Sequence, residues 1–178
     1  QHFAANSAIN ADDRFGNYLA LSIHRPVIHQ LLRWLMDNDQ EQLLPARDEL
    51  AARRWLVCAE VEFGQAVVAD LADIGITVEL LDPADDEPDV SGAVGFVAGT
   101  DNDTVNISLA EHARHANPEA YLVLRQQTNA KKVLLESLQI DTVYIATELI
   151  AREVLARILT PVFWSFVDHA FTLDDSWA

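Results

Sequence analysis

From Arg54 onward, short apolar runs rich in β-branched residues alternate with stretches whose apolar residues recur at helical spacing. A strand buried on both faces reads as a continuous apolar run, and a parallel neighbour is reached only through a crossover. The alternation therefore predicts an α/β fold, a doubly wound parallel sheet with helices packed over it. Strands are expected at Arg54–Ala59, Thr77–Asp82, Ala93–Ala98, Ala120–Leu124 and Thr142–Ala146. Helices are expected over Phe63–Ile74, with Val67, Val68 and Leu71 on the apolar face and Gly75 closing it, and from Asn102 or Asp103 to Ala116. Two more follow, over Asn129–Leu138 and Glu148–Leu159.

Between the second and third strands lies Pro83–Gly92, where Asp85, Asp86 and Glu87 stand between two prolines; this reads as a solvated loop. Residues 1–53 fall outside the alternation and read as a helical segment, Phe15–His24 and Pro26–Met36, followed by a polar linker. Pro161 opens one more helix, Val162–Phe171, as a first-turn proline does. When Pro26 is laid on Pro161, Ile23 falls on Ile158, Val27 on Val162, Ile28 on Phe163, Leu31 on Phe166, Leu32 on Val167 and Asp39 on Asp174. Either two amphipathic helices share a periodicity, or residues 1–40 are the tail of an earlier copy of the same domain. The expected division is thus 1–53 and 54–178.

Half of the 178 residues are apolar, enough to bury an ordinary core. A formal net charge of -16 argues against nucleic acid and against anionic lipid headgroups, both of which are bound through Lys and Arg. Lys occurs only at Lys131 and Lys132. That composition fits either a protein working in high salt or an acidic cytosolic domain. Cys58 has no partner for an internal disulfide, which suits a reducing compartment. No stretch approaches the roughly 20 apolar residues of a membrane span, so direct membrane insertion is not expected. The chain starts at Gln1 without a secretion signal and reads as a piece of something longer.

A dinucleotide site needs G-x-G-x-x-G between the first strand and its helix, so that the backbone turns tightly and a pyrophosphate reaches the helix N-terminus. Here the six positions read Ala59, Glu60, Val61, Glu62, Phe63 and Gly64. Gly64 alone survives, and its task is close packing of helix on strand. Val61 places a branched side chain where phosphates would approach, and Glu60 and Glu62 bring negative charge to the same spot. Asp82, ending the second strand, stands where a carboxylate accepts hydrogen bonds from an adenosine ribose, although an acid before a turn-forming proline occurs in any fold. The fold expected is Rossmann-like, and the dinucleotide site is expected to be degenerate.

The segment RWLVCAEVEFGQAVVADLADIGITVELLD resembles the opening of the TrkA-N family, the RCK domains that regulate potassium conductance, with the glycines eroded. GFVAGTDNDTVNISLAEHARHANPEAYLVLRQ is similar to the central segment of that family, where a strand ends in a Thr-Asp pair and an Asn follows early in the next helix. ELIAREVLARILTP, VFWSF and DDSWA resemble its closing helix pair, and INADDRFGNYLALSIHRP resembles the closing helices of a preceding RCK domain in tandem members. The likeness covers about residues 54–178. It implies a cytoplasmic regulatory domain at the inner face of the membrane, which forms a homodimer or larger ring and acts on a potassium channel or transporter subunit. It also implies that Gly64, Asp82, Thr100, Asp101 and Arg125 line a nucleotide cleft, if the cleft exists. No cofactor is expected; NAD or an adenine nucleotide is the ligand such a cleft would take. The sequence departs from the family in its glycines and in the segment between Asp82 and Ala93, too short for a strand-helix unit that needs about a dozen residues or more. The expected sheet is accordingly shortened by one unit.

Other chemistry is weakly supported. Thr100 to Thr104 offers alternating oxygens without the glycine and distal Glu of a calcium loop. His112 and His115 stand three apart beside Glu111, yet no third zinc ligand converges. His24, His29 and His169 read as packed or exposed helix residues. No nucleophile elbow, P-loop or paired Cys and His is found. Cys58 reads as a small hydrophobe, and no catalytic residue is expected. The aromatic stripe of Phe163, Trp164, Phe166 and Phe171 exceeds the needs of one core and reads as a subunit interface, with core packing as the plainer alternative. A nicotinamide oxidoreductase and a ligand-free interaction module are the rival readings; the first would need a substrate domain that this chain has no residues to build.

Overall fold

A computed structural model describes residues 11–29, 54–84, 88–128, 132–159 and 162. The strands are β1 (Trp55–Cys58), β2 (Val78–Leu81), β3 (Gly95–Ala98), β4 (Tyr121–Gln126) and β5 (Thr142–Ile145). The helices are α1 (Ala11–His24), α2 (Val61–Asp73), α3 (Asp103–Ala116), α4 (Lys132–Ser137) and α5 (Ala146–Leu159). The strands form one five-stranded sheet in the order β2-β1-β3-β4-β5, and all its pairs are parallel. This is the Rossmann-like architecture read from the sequence, shortened as expected. β2 passes directly to β3 through residues 82–94, and the described part of that connection holds no helix.

Strand periodicity sorts the core into two layers. On one face Trp55, Val57, Val97 and Val123 pack with Phe63, Val67 and Leu71 of α2 and with Phe15, Tyr18, Leu19 and Ile23 of α1. On the other face Leu56, Cys58, Phe96, Ala98, Leu122 and Leu124 meet Ile107, Ala110 and Ala113 of α3 and Leu135 of α4. α1, which precedes the alternation in sequence, therefore shares the core of the sheet. Gly95 lets Trp55 lie flat against β3: a Cβ at that position would stand 2.5 Å from the indole.

Local chemistry sets the helix ends. At the end of α2, Gly75 takes φ +82; its N–H donates to Ala72 O at 2.9 Å and the Ile76 N–H donates to Leu71 O at 3.1 Å, a Schellman closure. α4 ends in the same way with Gln139 at φ 51, a left-handed conformation that costs a side-chain-bearing residue energy. Asn102, one of the two expected caps, accepts from Thr104 N at 2.9 Å and Val105 N at 3.3 Å. α2 and α5 each start two residues earlier than their apolar periodicity suggests. The extra residues are exposed first-turn positions in α2, where burial leaves no sequence mark.

The Arg114 side chain holds together the far edge of the sheet. Its guanidinium donates to Pro118 O at 2.6 Å, Ala120 O at 3.0 Å, Gln139 O at 2.6 Å and Asp141 Oδ2 at 3.1 Å. The acidic run Asp85 to Glu87, the helix expected beyond Val162 with its aromatic stripe, and residues 30–53 lie outside the described residues.

Candidate functional site

In an open parallel sheet a ligand is received outside the carboxyl ends of the strands, where the chain order reverses. Here β1 has β2 on one side and β3 on the other, so the crevice opens between the ends of β1 and β3. The walls are residues 59–64 from the β1–α2 turn and residues 99–106 from the β3–α3 turn, with Arg125 and Gln126 at the end of β4.

Glu60 occupies the N-cap position of α2 at φ -60 and ψ 150, but its side chain makes no cap hydrogen bond. Instead Oε1 accepts the Asp101 N–H at 3.2 Å and so spans from the end of β1 to the end of β3. Val61 opens α2 with 64% of its surface exposed. Gly64 is buried against β2; a Cβ there would come 2.3 Å from the Leu80 side chain, which makes it a packing glycine.

Thr100, Asp101 and Arg125 are brought together. Arg125 Nη1 donates to Asp101 Oδ1 at 2.5 Å and to Gly99 O at 3.3 Å. Its guanidinium carbon lies 4.3 Å from the Phe63 ring centroid, a cation–π stack. Thr100 is 3% exposed, and both its N–H and its hydroxyl donate to Asn106 Oδ1 at 2.8 Å. Asp82 stays apart: its Oδ1 accepts the Ala84 N–H at 2.8 Å, tying its own turn. Further along the same connection, donation from the Ser91 hydroxyl and then the Ser91 N–H holds the Asp89 carboxyl below its ordinary range.

Asn106 is the organising residue that the sequence-derived site set omits. It is fully buried, and its Nδ2 donates to Thr100 O and Arg125 O, both at 2.8 Å. With Oδ1 receiving two donors, the amide locks the end of β3 to the end of β4. Its signal in the sequence is an amide on the inward face of α3, one turn after the cap. Asp103 Oδ1 completes this side by accepting the Gln127 N–H at 2.7 Å.

Electrostatically the crevice carries an excess of negative charge, with Glu60, Glu62, Asp101 and Asp103 on its walls against Arg125. The Arg125 charge is matched by Asp101, and a backbone donor available to an anion is taken by Glu60. Two like charges about 4 Å apart repel by about 4 kcal/mol at a near-surface effective dielectric, so a diphosphate entering here has to displace the Glu60 carboxylate. Among the described residues no cluster of His, Cys, Asp and Glu is placed to hold a metal ion; His115 is exposed and His112 Nε2 lies 3.3 Å from Pro88 O. A cavity of about 150 Å³ at the β5 edge, lined in part by Tyr18, Tyr144, Glu148 and Arg152, shares no residue with the crevice.

The comparisons with known proteins agree with this geometry. The family model of the TrkA-N domain matches residues 49–146. No curated protein sequence matches. Among solved structures, GsuK bound to ADP superposes with a TM-score of 0.59 at 16% identity, covering 88% of this chain and 40% of that one. A structure of the GsuK channel gives 0.58 at 16% identity, covering 87% and 40%. GsuK channel bound to NAD gives 0.51 at 17% identity, covering 73% and 26%. The chain thus spans two fifths or less of these solved chains, and at such identities the likeness speaks for the fold. With the family model covering more than half of its residues, the chain belongs to the TrkA-N family, the RCK-type Rossmann domains.

Proposed function

We propose that this chain is a cytoplasmic regulatory domain of a potassium channel or transporter, which pairs with a second copy and contributes shape and assembly rather than catalysis. Family membership supports the regulatory role, and the neighbouring GsuK structures belong to a channel. Among the described residues no helix is long and apolar enough to cross a membrane, so the pore would be supplied by a partner or by other parts of the parent protein.

The observation that carries the reading of a weakened crevice is the Glu60 carboxylate on the Asp101 N–H. ADP and NAD are bound in the GsuK structures and are the ligands to test here. Gly64, Asp82, Thr100, Asp101 and Arg125 remain the residues that would meet such a ligand, with Thr100 and Arg125 already committed to Asn106, Asp101 and Phe63. We assign no catalytic residue.

One contrast supports pairing. Laid on one another, α1 buries Leu19, Ala20 and Ile23, while α5 leaves Val154 40%, Leu155 54% and Ile158 70% exposed. An amphipathic helix keeps such a stripe when another protein surface covers it. A thermal-shift panel of NAD, NADH, ATP, ADP, AMP and divalent cations, run beside light scattering on the full chain, tests both parts. The expected result is a dimer or larger assembly that no nucleotide stabilises. A monomer refutes the assembly role, and a nucleotide-dependent rise in melting temperature refutes the closed crevice.

A further inference from the structure

α1 lies on the sheet through Phe15, Tyr18, Leu19 and Ile23, an apolar seam. Burial along such a seam is non-directional, so a polar contact adds a specificity that apolar area alone does not supply. A polar contact borders it. Glu153 of α5 has no exposed surface, and its Oε1 receives Arg14 of α1 at 3.1 Å and Arg157 of α5 at 2.7 Å. The two guanidinium side chains are 25% and 26% exposed, so they reach inward from the rim while the carboxylate sits inside. Its other oxygen, Oε2, is buried with no hydrogen-bond partner among the described residues.

A buried ion pair is a poor source of net stability, since an apolar replacement of similar volume is often equal or better; its best-attested use is to fix register. The position makes register consequential. β5 ends at Ile145 and α5 begins at Ala146, so the edge strand and the helix are continuous. Arg14 is in the first turn and a half of α1. We infer that Glu153 is a register pin: by holding Arg14 it fixes the position of α1 against α5 and so against the β5 edge. Arg157, four residues on along the same helix, keeps the carboxylate paired on α5 itself, so the pin selects a position for α1 without being required for α5 to form.

The pin is independent of whether the crevice binds a nucleotide, and it is tested on the full chain. Arg14→Met should raise amide exchange in α1 about tenfold or more while leaving α3 unchanged, the ordinary cost of breaking a buried pair being reduced here because Arg14 is part-exposed. Unchanged exchange in α1 overturns the pin. The triple variant Arg14→Met, Glu153→Met, Arg157→Met retains an apolar seam and is expected to fold. Spin labels on exposed positions of α1 and α5 should give one distance in the natural chain and a spread in the triple variant, with steps of about 5.4 Å, one helical turn. A single unshifted distance in the triple variant shows that shape alone sets the register and refutes the inference. Should the triple variant unfold, Glu153→Gln, which keeps the shape and removes the charge, replaces it with the same two readings.

Discussion

Replacing Asn106 by Leu keeps the side-chain volume and removes every hydrogen bond the amide makes. Thr100 N and Thr100 O then lose the partner that the structure gives them at 2.8 Å each, while Arg125 O loses one donor at 2.8 Å and keeps Gln126 Nε2 at 3.1 Å. The Thr100 hydroxyl keeps Asn102 O at 3.3 Å and is the least affected. Leaving a buried polar group without its partner costs about 1–3 kcal/mol. The two orphaned backbone groups are buried, so at about 2 kcal/mol each the gross loss is about 4 kcal/mol, of which about 1 kcal/mol returns through the buried Leu side chain. A net destabilisation of about 3 kcal/mol lowers the melting temperature of a domain this size by about 6–12 °C. Chemical denaturation with an unchanged slope is the measurement, because an altered slope would signal a changed end state rather than a lost interaction. Asn106→Asp should be at least as damaging, since it sets a carboxylate against two carbonyl oxygens. A change below about 1 kcal/mol for Asn106→Leu would show that the ends of β3 and β4 hold each other without the amide.

Other outcomes follow from the same structure. Arg114→Met removes donors from Pro118, Ala120, Gln139 and Asp141 and should cost about 2–4 kcal/mol, with Arg114→Lys intermediate because an ammonium cannot reach all of them; equal melting of the Lys variant and the natural chain would contradict this. Gln139→Gly relieves the left-handed backbone at φ 51 and should stabilise by up to about 1 kcal/mol in the same assay, any loss showing that the side chain matters more than the strain. Ser91→Ala removes the largest cause of the lowered Asp89 pKa. The Asp89 carboxyl should then titrate at higher pH by NMR, and an unmoved titration would discount that hydrogen bond. Polar replacement of Trp164 and Phe166 should give monomers by light scattering, and an unchanged assembly would remove the aromatic stripe from the interface.

The fold was legible because the central strands Trp55–Cys58 and Gly95–Ala98 are runs of residues buried on both faces, and because Gly75 and Asn102 punctuate α2 and α3 at positions only a turn and a cap require. The loss of one strand-helix unit was legible too, since a chain cannot place a helical crossover between Asp82 and Ala93. The polar staples were not. Arg114 and Asn106 lie on a helix whose neighbours Glu111 and His115 are exposed, and periodicity assigns polar residues to the solvated face by default. Their partners are backbone carbonyls brought close only by tertiary folding. The Glu60 bridge was half legible: the charge at the turn could be read, but which donor it would find depends on the end of β3, 41 residues away. Glu153 has the pattern of an ordinary salt-bridged helix surface with Arg157, and nothing in that spacing marks its burial or its second partner, Arg14 of α1.

Calorimetric titration of ADP and NAD into the full chain, in parallel with a Glu60→Gly, Val61→Gly variant that bares the β1–α2 turn, is the most direct measurement of whether this domain closes its own crevice. The natural chain is expected to give no binding heat at ligand concentrations up to about 1 mM, corresponding to less than about 4 kcal/mol of binding free energy. Micromolar binding by the natural chain, with the Glu60 carboxylate swung away from Asp101 in a crystal of the complex, would contradict it.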